Sequence, residues 1–160
     1  MRYLTSDIIF TAFSNSIYDG VLVVDDEGKI VNILENKGQV ESANLEYFKG
    51  ALCPGFINTH CHLELSHLQG ELASKIGLPH FINSIGQIRK ASRRRKDDAL
   101  KLADSQMYNN GIVAVADISN TADSFSTKAN SAIHYYTFIE LFASNPVSYT
   151  HLTLPTIRSV

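Results

Sequence analysis

The sequence predicts an α/β fold: a module of short strands, then strands alternating with helices, the pattern of a parallel sheet or a β/α barrel. Three observations carry this reading. The β-branched runs Gly20 to Val24 and Lys29 to Leu34 flank the acidic turn Asp25-Asp26-Glu27-Gly28, which is a hairpin signal. Three later stretches, Ala51 to His62, Ile112 to Ile118 and Ile133 to Phe142, are apolar or β-branched enough for buried strands. Between the first two of these, apolar residues recur at helical spacing.

Taken in order, Asp7 to Phe13 holds Ile8, Ile9, Phe10 and Phe13 and reads as a first strand. The hairpin follows. Asn36 to Lys49 is polar and reads as loop with a marginal strand or turn. Pro54-Gly55 marks the start of the next strand, which runs to His62. Leu63 to Leu78, with Ser66, Gly70, Ser74 and Gly77, reads mostly as loop. Pro79 suits the first turn of a helix, and Phe81, Ile82, Ile85 and Ile88 continue it. Asp97 is placed to cap a second helix, whose inner face is Leu100, Ala103 and Met107. Asn109-Asn110-Gly111 ends it, with Gly111 in the left-handed position that glycine favours. Ser119 to Asn130 is polar, with room for one helical turn.

Composition narrows the function. The 160 residues carry a formal charge of −2 and 44% apolar residues, without the basic excess of a nucleic-acid binder. The one basic run, Arg93-Arg94-Arg95-Lys96, precedes Asp97-Asp98 and reads as a charge-compensated solvent face. No apolar run approaches the ~20 residues of a membrane helix, and the first residues show no h-region of a signal peptide. Cys53 and Cys61 do not suggest a disulfide framework. The expectation is a cytoplasmic protein with a small-molecule substrate and neither nucleic acid nor membrane as partner.

The segment that carries chemistry is Pro54-Gly55-Phe56-Ile57-Asn58-Thr59-His60-Cys61-His62-Leu63-Glu64. Side chains alternate along a strand, so His60 and His62 project to one face. Cys61 then points to the other, with Ile57, Thr59 and Leu63. Two imidazoles at a strand end can bind one metal ion and leave its far side open. A His-x-His pattern also arises by chance, and its position at a strand end is what raises its weight. Glu64 continues the inward alternation and is a candidate to contact substrate or orient a ligand. His67, in the following loop, is a second substrate-side candidate beside a structural role. His134 opens its strand and His80 its helix, away from the chemistry. Asp117 and Glu140, near strand ends, read as hydrogen-bonding groups.

Residues 54 to 70, Pro-Gly-Phe-Ile-Asn-Thr-His-Cys-His-Leu-Glu-Leu-Ser-His-Leu-Gln-Gly, resemble the first barrel strand and loop of the amidohydrolase superfamily. The branch resembled is that of the cytosine, nucleoside and aminofutalosine deaminases and the chlorohydrolases. Gly111 to Ser119 is similar to that family's second barrel strand and Tyr135 to Phe142 to its third. The resemblance implies a (β/α)8 (TIM) barrel truncated after three strands and preceded by part of a small β-sandwich. Residues 1–53 would be the sandwich part and 54–146 the barrel part. It implies His60 and His62 as ligands of one divalent metal ion, zinc, with iron the alternative. The family's other ligands, on the fifth, sixth and eighth strands, and its proton-shuttling glutamate and aspartate have no counterpart in this chain. The activity implied is hydrolytic deamination of a cyclic amidine, nucleobase- or nucleoside-like, by a protein that forms homo-oligomers at full length. Dechlorination or cyclic-amide opening on the same scaffold, and a barrel without catalysis, are the alternatives.

Residues 147–160, beginning Val-Ser-Tyr-Thr-His-Leu-Thr-Leu-Pro-Thr, resemble a translated sequencing adapter rather than the family. They are set aside as a non-native tail, and His151 with them. A closed barrel needs ~250 residues, so the chain is expected to be an inactive fragment.

Overall fold

A computed structural model of the chain describes residues 1–72, 77, 79–81, 84, 85 and 92–141. The expectations for Ile82 and Ile88 in the first helix, for Phe142, and for the tail 147–160 lie outside the described residues. The chain divides into two compact units, Met1–Gly55 and Phe56–Val160.

The first unit is a five-stranded sheet. β1 (Arg2–Ile9) runs antiparallel to β2 (Ile17–Tyr18) and to β3 (Val21–Val24), and β3 runs antiparallel to β4 (Ile30–Leu34). β5 (Leu45–Leu52) lies parallel to β1. The hairpin of β3 and β4 is the one the sequence predicts, with Val21 opposite Leu34. Its turn closes through the Lys29 N–H, which donates to the Asp25 carboxylate at 2.7 Å. Gly20, between β2 and β3, has no room for a side chain: a Cβ there would meet Ile17 at 2.7 Å and the Leu34 carbonyl at 3.2 Å. Ile9, Val21, Val23 and Val24 form the core.

Two expectations change here. The first strand begins at Arg2 and ends at Ile9, and Phe10 and Phe13 are exposed. The segment read as loop with a marginal strand or turn, Asn36 to Lys49, contains two 3-10 turns and the first residues of a full eight-residue strand, β5. Apart from half-buried ends, β5 is exposed along its length, so it has no buried apolar side to give a two-residue pattern. Its hydrogen bonds to β1 hold it in the sheet.

The second unit is a three-stranded parallel sheet in the order β6 (Phe56–Cys61), β7 (Ile112–Ser119), β8 (His134–Ile139). Parallel neighbours need a crossover of a dozen or more residues, and helices occur in both connections. Residues 79–81, 84 and 85 are helical in the first, as Pro79 predicts. The long helix α1 (Arg93–Asn109) follows, capped by Ser92, whose Oγ accepts the Arg95 N–H at 3.4 Å. Asp97 is therefore an interior residue and not the cap. It pairs instead with Arg93 one turn earlier, at 3.8 Å. Two more residues of the basic run are paired: Arg95 with Glu71, and Lys96 with Asp123 at 2.8 Å. Leu100 is fully buried, with Ala103 and Met107 half-buried on the same face. Gly111 ends the helix at φ +80°. The second crossover contains α2 (Phe125–Ala129). Val115, Asp117 and Ser119 of β7 share its buried face, and α1 packs against β7. No helix among the described residues is long and apolar enough to cross a membrane.

Candidate metal centre

The Phe56 N–H donates to the Gly111 carbonyl at 2.8 Å, which starts the pairing of β6 with β7. Phe56 then faces Ile112, Ile57 faces Ala114 and Asn58 faces Val115. The next aligned pair is Cys61 with Asp117, so three steps on β6 match two on β7. This is a bulge, and it resets which side chains share a face. Asn58 and Cys61 both align with buried residues of β7, whereas Ile57 is 66% exposed and Thr59 is exposed. Cys61 is thus separated from Ile57 and Thr59, with which strict alternation groups it.

The two histidines stay together. The rings of His60 and His62 have centroids 5.2 Å apart and planes at 70°. His60 is exposed and His62 half-buried. The His62 Nδ1 is buried and has no hydrogen-bond partner, an unusual condition for a polar atom. His62 also lines a cavity of about 370 Å³ with Leu65, Leu68, Leu72, Phe81 and Ala103. Cys61, between the histidines in sequence, is pushed up to about 12 by burial and then by the charge of Asp117.

After His62 the chain turns into a 3-10 segment, Leu63–Leu68, which replaces the expected loop and buries Leu63, Glu64, His67 and Leu68. The Glu64 Oε2 accepts from the Thr121 N–H at 2.8 Å and the Thr121 hydroxyl at 2.7 Å. His67 Nδ1 lies 3.1 Å from the Glu64 carbonyl, and its Nε2 is buried with no partner. Burial holds the His67 pKa below the ordinary histidine value. The structure therefore places Glu64 and His67 in one turn directly after the histidine pair. His134 opens β8 and His80 is in the helical segment, both exposed. Glu140 accepts from the Asn120 amide at 3.0 Å, a hydrogen-bonding role of the kind expected.

Sequence reasoning missed Lys128. It lies in α2 with its side chain 7% exposed and pairs with the fully buried Asp117. A lysine in a polar connection reads by default as a surface residue, and nothing nearby marks this one as buried.

Among the described residues no group of three or more His, Cys, Asp and Glu gathers to hold a metal ion. Those residues do include two adjacent imidazoles at a strand end, one with an orphaned buried nitrogen. Neutral imidazoles suit first-row divalent ions, so the residues present fit such an ion.

No protein-family model and no curated protein matches the chain. Solved structures do. The aminofutalosine deaminase of Helicobacter pylori, bound to methylthio-coformycin, aligns at TM-score 0.74 and 21% identity, over 91% of this chain and 36% of that one. A guanine deaminase from C. acetobutylicum with bound guanine aligns at TM-score 0.67 and 16% identity, over 85% and 35%. An adenosine deaminase from Xanthomonas campestris, solved with bound zinc, aligns at TM-score 0.57 and 13% identity, over 86% and 42%. The chain thus spans about a third of the length of the first two. At these identities the likeness is one of fold, and it falls on the same group of proteins that residues 54–70 resemble.

Proposed function

We propose that the chain is part of a metal-dependent hydrolase of the amidohydrolase superfamily, a deaminase of a nucleobase- or nucleoside-like cyclic amidine. The observation that carries the reading is the His60–His62 pair, side by side at the end of a parallel strand with one nitrogen buried and unpartnered. The three parallel strands are read as the first three of a (β/α)8 barrel, and the first unit as part of a small β-sandwich. In such barrels the chemistry sits at the C-terminal ends of the strands, where this pair lies.

His60 and His62 would hold one divalent ion, zinc by preference and iron as the alternative. Such an ion, when bound, makes water a usable nucleophile near neutral pH. The chain's own residues orient and exclude. Thr121 keeps the Glu64 carboxylate in one direction, as a substrate contact requires. The unpartnered Nε2 of His67 is the second group we assign to the substrate side. No residue of this chain is assigned proton transfer.

The test is ammonia release from aminopurines and aminopyrimidines by the full-length protein that contains this chain, with its zinc content measured in parallel. Both should fall on chelation and in His60→Ala and His62→Ala. A protein that keeps its metal and its turnover in both variants sinks the assignment. The 160-residue chain alone should bind zinc weakly and release no ammonia, because a catalytic zinc takes three protein ligands and the described residues supply two.

A further inference from the structure

Resting on that reading, we propose that Asp117 is a positioning residue for the histidine pair: from the neighbouring strand it holds the backbone N–H of Leu63, directly after His62, and so fixes the direction of that imidazole.

The backbone leaves extended geometry at His62, with φ −125° and ψ 74°, and the 3-10 turn starts at Leu63. The first N–H groups of such a turn have no partner within it, and His62 supplies no side-chain cap. The partner comes from 54 positions away: the Leu63 N–H donates to Asp117 Oδ1 at 2.7 Å. On the other side of His62, Cys61 is the residue aligned with Asp117 across the sheet. Asp117 therefore stands in register with the residue before the ligand and accepts from the residue after it.

That carboxylate is itself immobile. Asp117 is 0% exposed. Its Oδ2 accepts from the Ser119 hydroxyl at 3.0 Å and pairs with Lys128. Lys128 in turn donates to Ser119 Oγ at 2.9 Å and to Thr137 Oγ1 of β8 at 3.1 Å. The network ties the end of β6 to β7, α2 and β8. A buried ion pair of this kind is poor evidence of a stability gain, since desolvation offsets the attraction. It is good at holding a group in one place when every member is satisfied. The link is also reciprocal. Asp117 of β7 takes the N–H of Leu63, and Glu64, the next residue, takes the N–H of Thr121 just beyond β7.

The test separates the grip on Leu63 from mere loss of the ion pair, using two double variants of the full-length protein. Asp117→Leu with Lys128→Met removes both charges and the acceptor. Asp117→Asn with Lys128→Met removes both charges but keeps an oxygen for the Leu63 N–H. Zinc affinity by chelator competition should fall roughly ten- to hundredfold in the first and stay close to the parent in the second. The absorption bands of the cobalt-substituted first variant should shift. A role confined to stability would move both variants together, and equal affinities in the two overturn the proposal. If the leucine variant does not fold, Asp117→Ala with Lys128→Met replaces it. If the parent binds no zinc, the metal reading fails, and the positioning claim is tested on structures of the metal-free forms. Ring centroids still 5.2 Å apart in the leucine variant would then overturn it; separation there, with the spacing kept in the asparagine variant, would support it.

Discussion

The hydroxyl of Tyr135 donates to Asp104 Oδ1 at 2.7 Å, and the same oxygen accepts from Ser131 at 2.6 Å. Burial, and then the hydrogen bond to Asp104 and that residue's charge, raise the Tyr135 pKa well above the ordinary 10.0. The folded chain therefore keeps this proton where the unfolded chain gives it up. The resulting stability is whole below pH 10 and is lost as pH rises beyond it. Tyr135→Phe should flatten the fall of thermal stability above pH 10, read by melting at successive pH values. An unchanged slope would show that the phenol does not titrate with unfolding. At this scale the histidine pair was legible, because two-residue spacing survives in any short extended segment. The bulge was not read, although Asn58, a type depleted in strands, accepts the His60 N–H on its own Oδ1 at 3.2 Å there. Lys128 was also hidden, because its burial depends on Asp117, and the crossover that brings the two together has no local signature.

Among the elements, α1 and its exit yield the sharpest expectations. Leu100 is 1% exposed, so Leu100→Ala should cost about 2–5 kcal/mol through lost transfer energy and the cavity left behind. Ser92→Ala removes a cap whose hydrogen bond is long, 3.4 Å, and should cost only about 0.5 kcal/mol, the low end for caps. Gly111→Ala places a Cβ at φ +80°, 3.5 Å from the Phe56 ring. There is space, so the loss of about 1–2 kcal/mol is the backbone's. Denaturant unfolding measures all three, and a cap effect as large as the core effect would contradict the burial seen here. The glycine stop was readable because its chemistry is local. The helix start was misread by five residues because an acidic residue inside the first turns looks like a cap when its partner, Arg93, is ignored. β5 was legible only as a marginal strand because an exposed strand has no buried apolar side to display, and its place is set by β1.

For the molecule as a whole, the apolar groups left in solvent matter most. Phe56 and Ile57 on β6 and Tyr136 and Phe138 on β8 are 50–66% exposed, although parallel sheets ordinarily have both faces covered. The 160-residue chain should bind a hydrophobic dye and aggregate without a defined stoichiometry, and the full-length protein should not bind the dye. A monomeric, dye-silent 160-residue chain would count against the barrel reading. The two-unit division leaves one more result, from the place of β1 in its sheet. β1 has β2 and β3 along one edge and β5 along the other, and its Arg2 pairs with Glu46, 44 positions on. During synthesis the hairpin partners emerge early, but the second edge stays open until Leu52 has left the ribosome. A slowed translation between β4 and β5 would lengthen the time for which that edge can recruit a strand from another nascent chain.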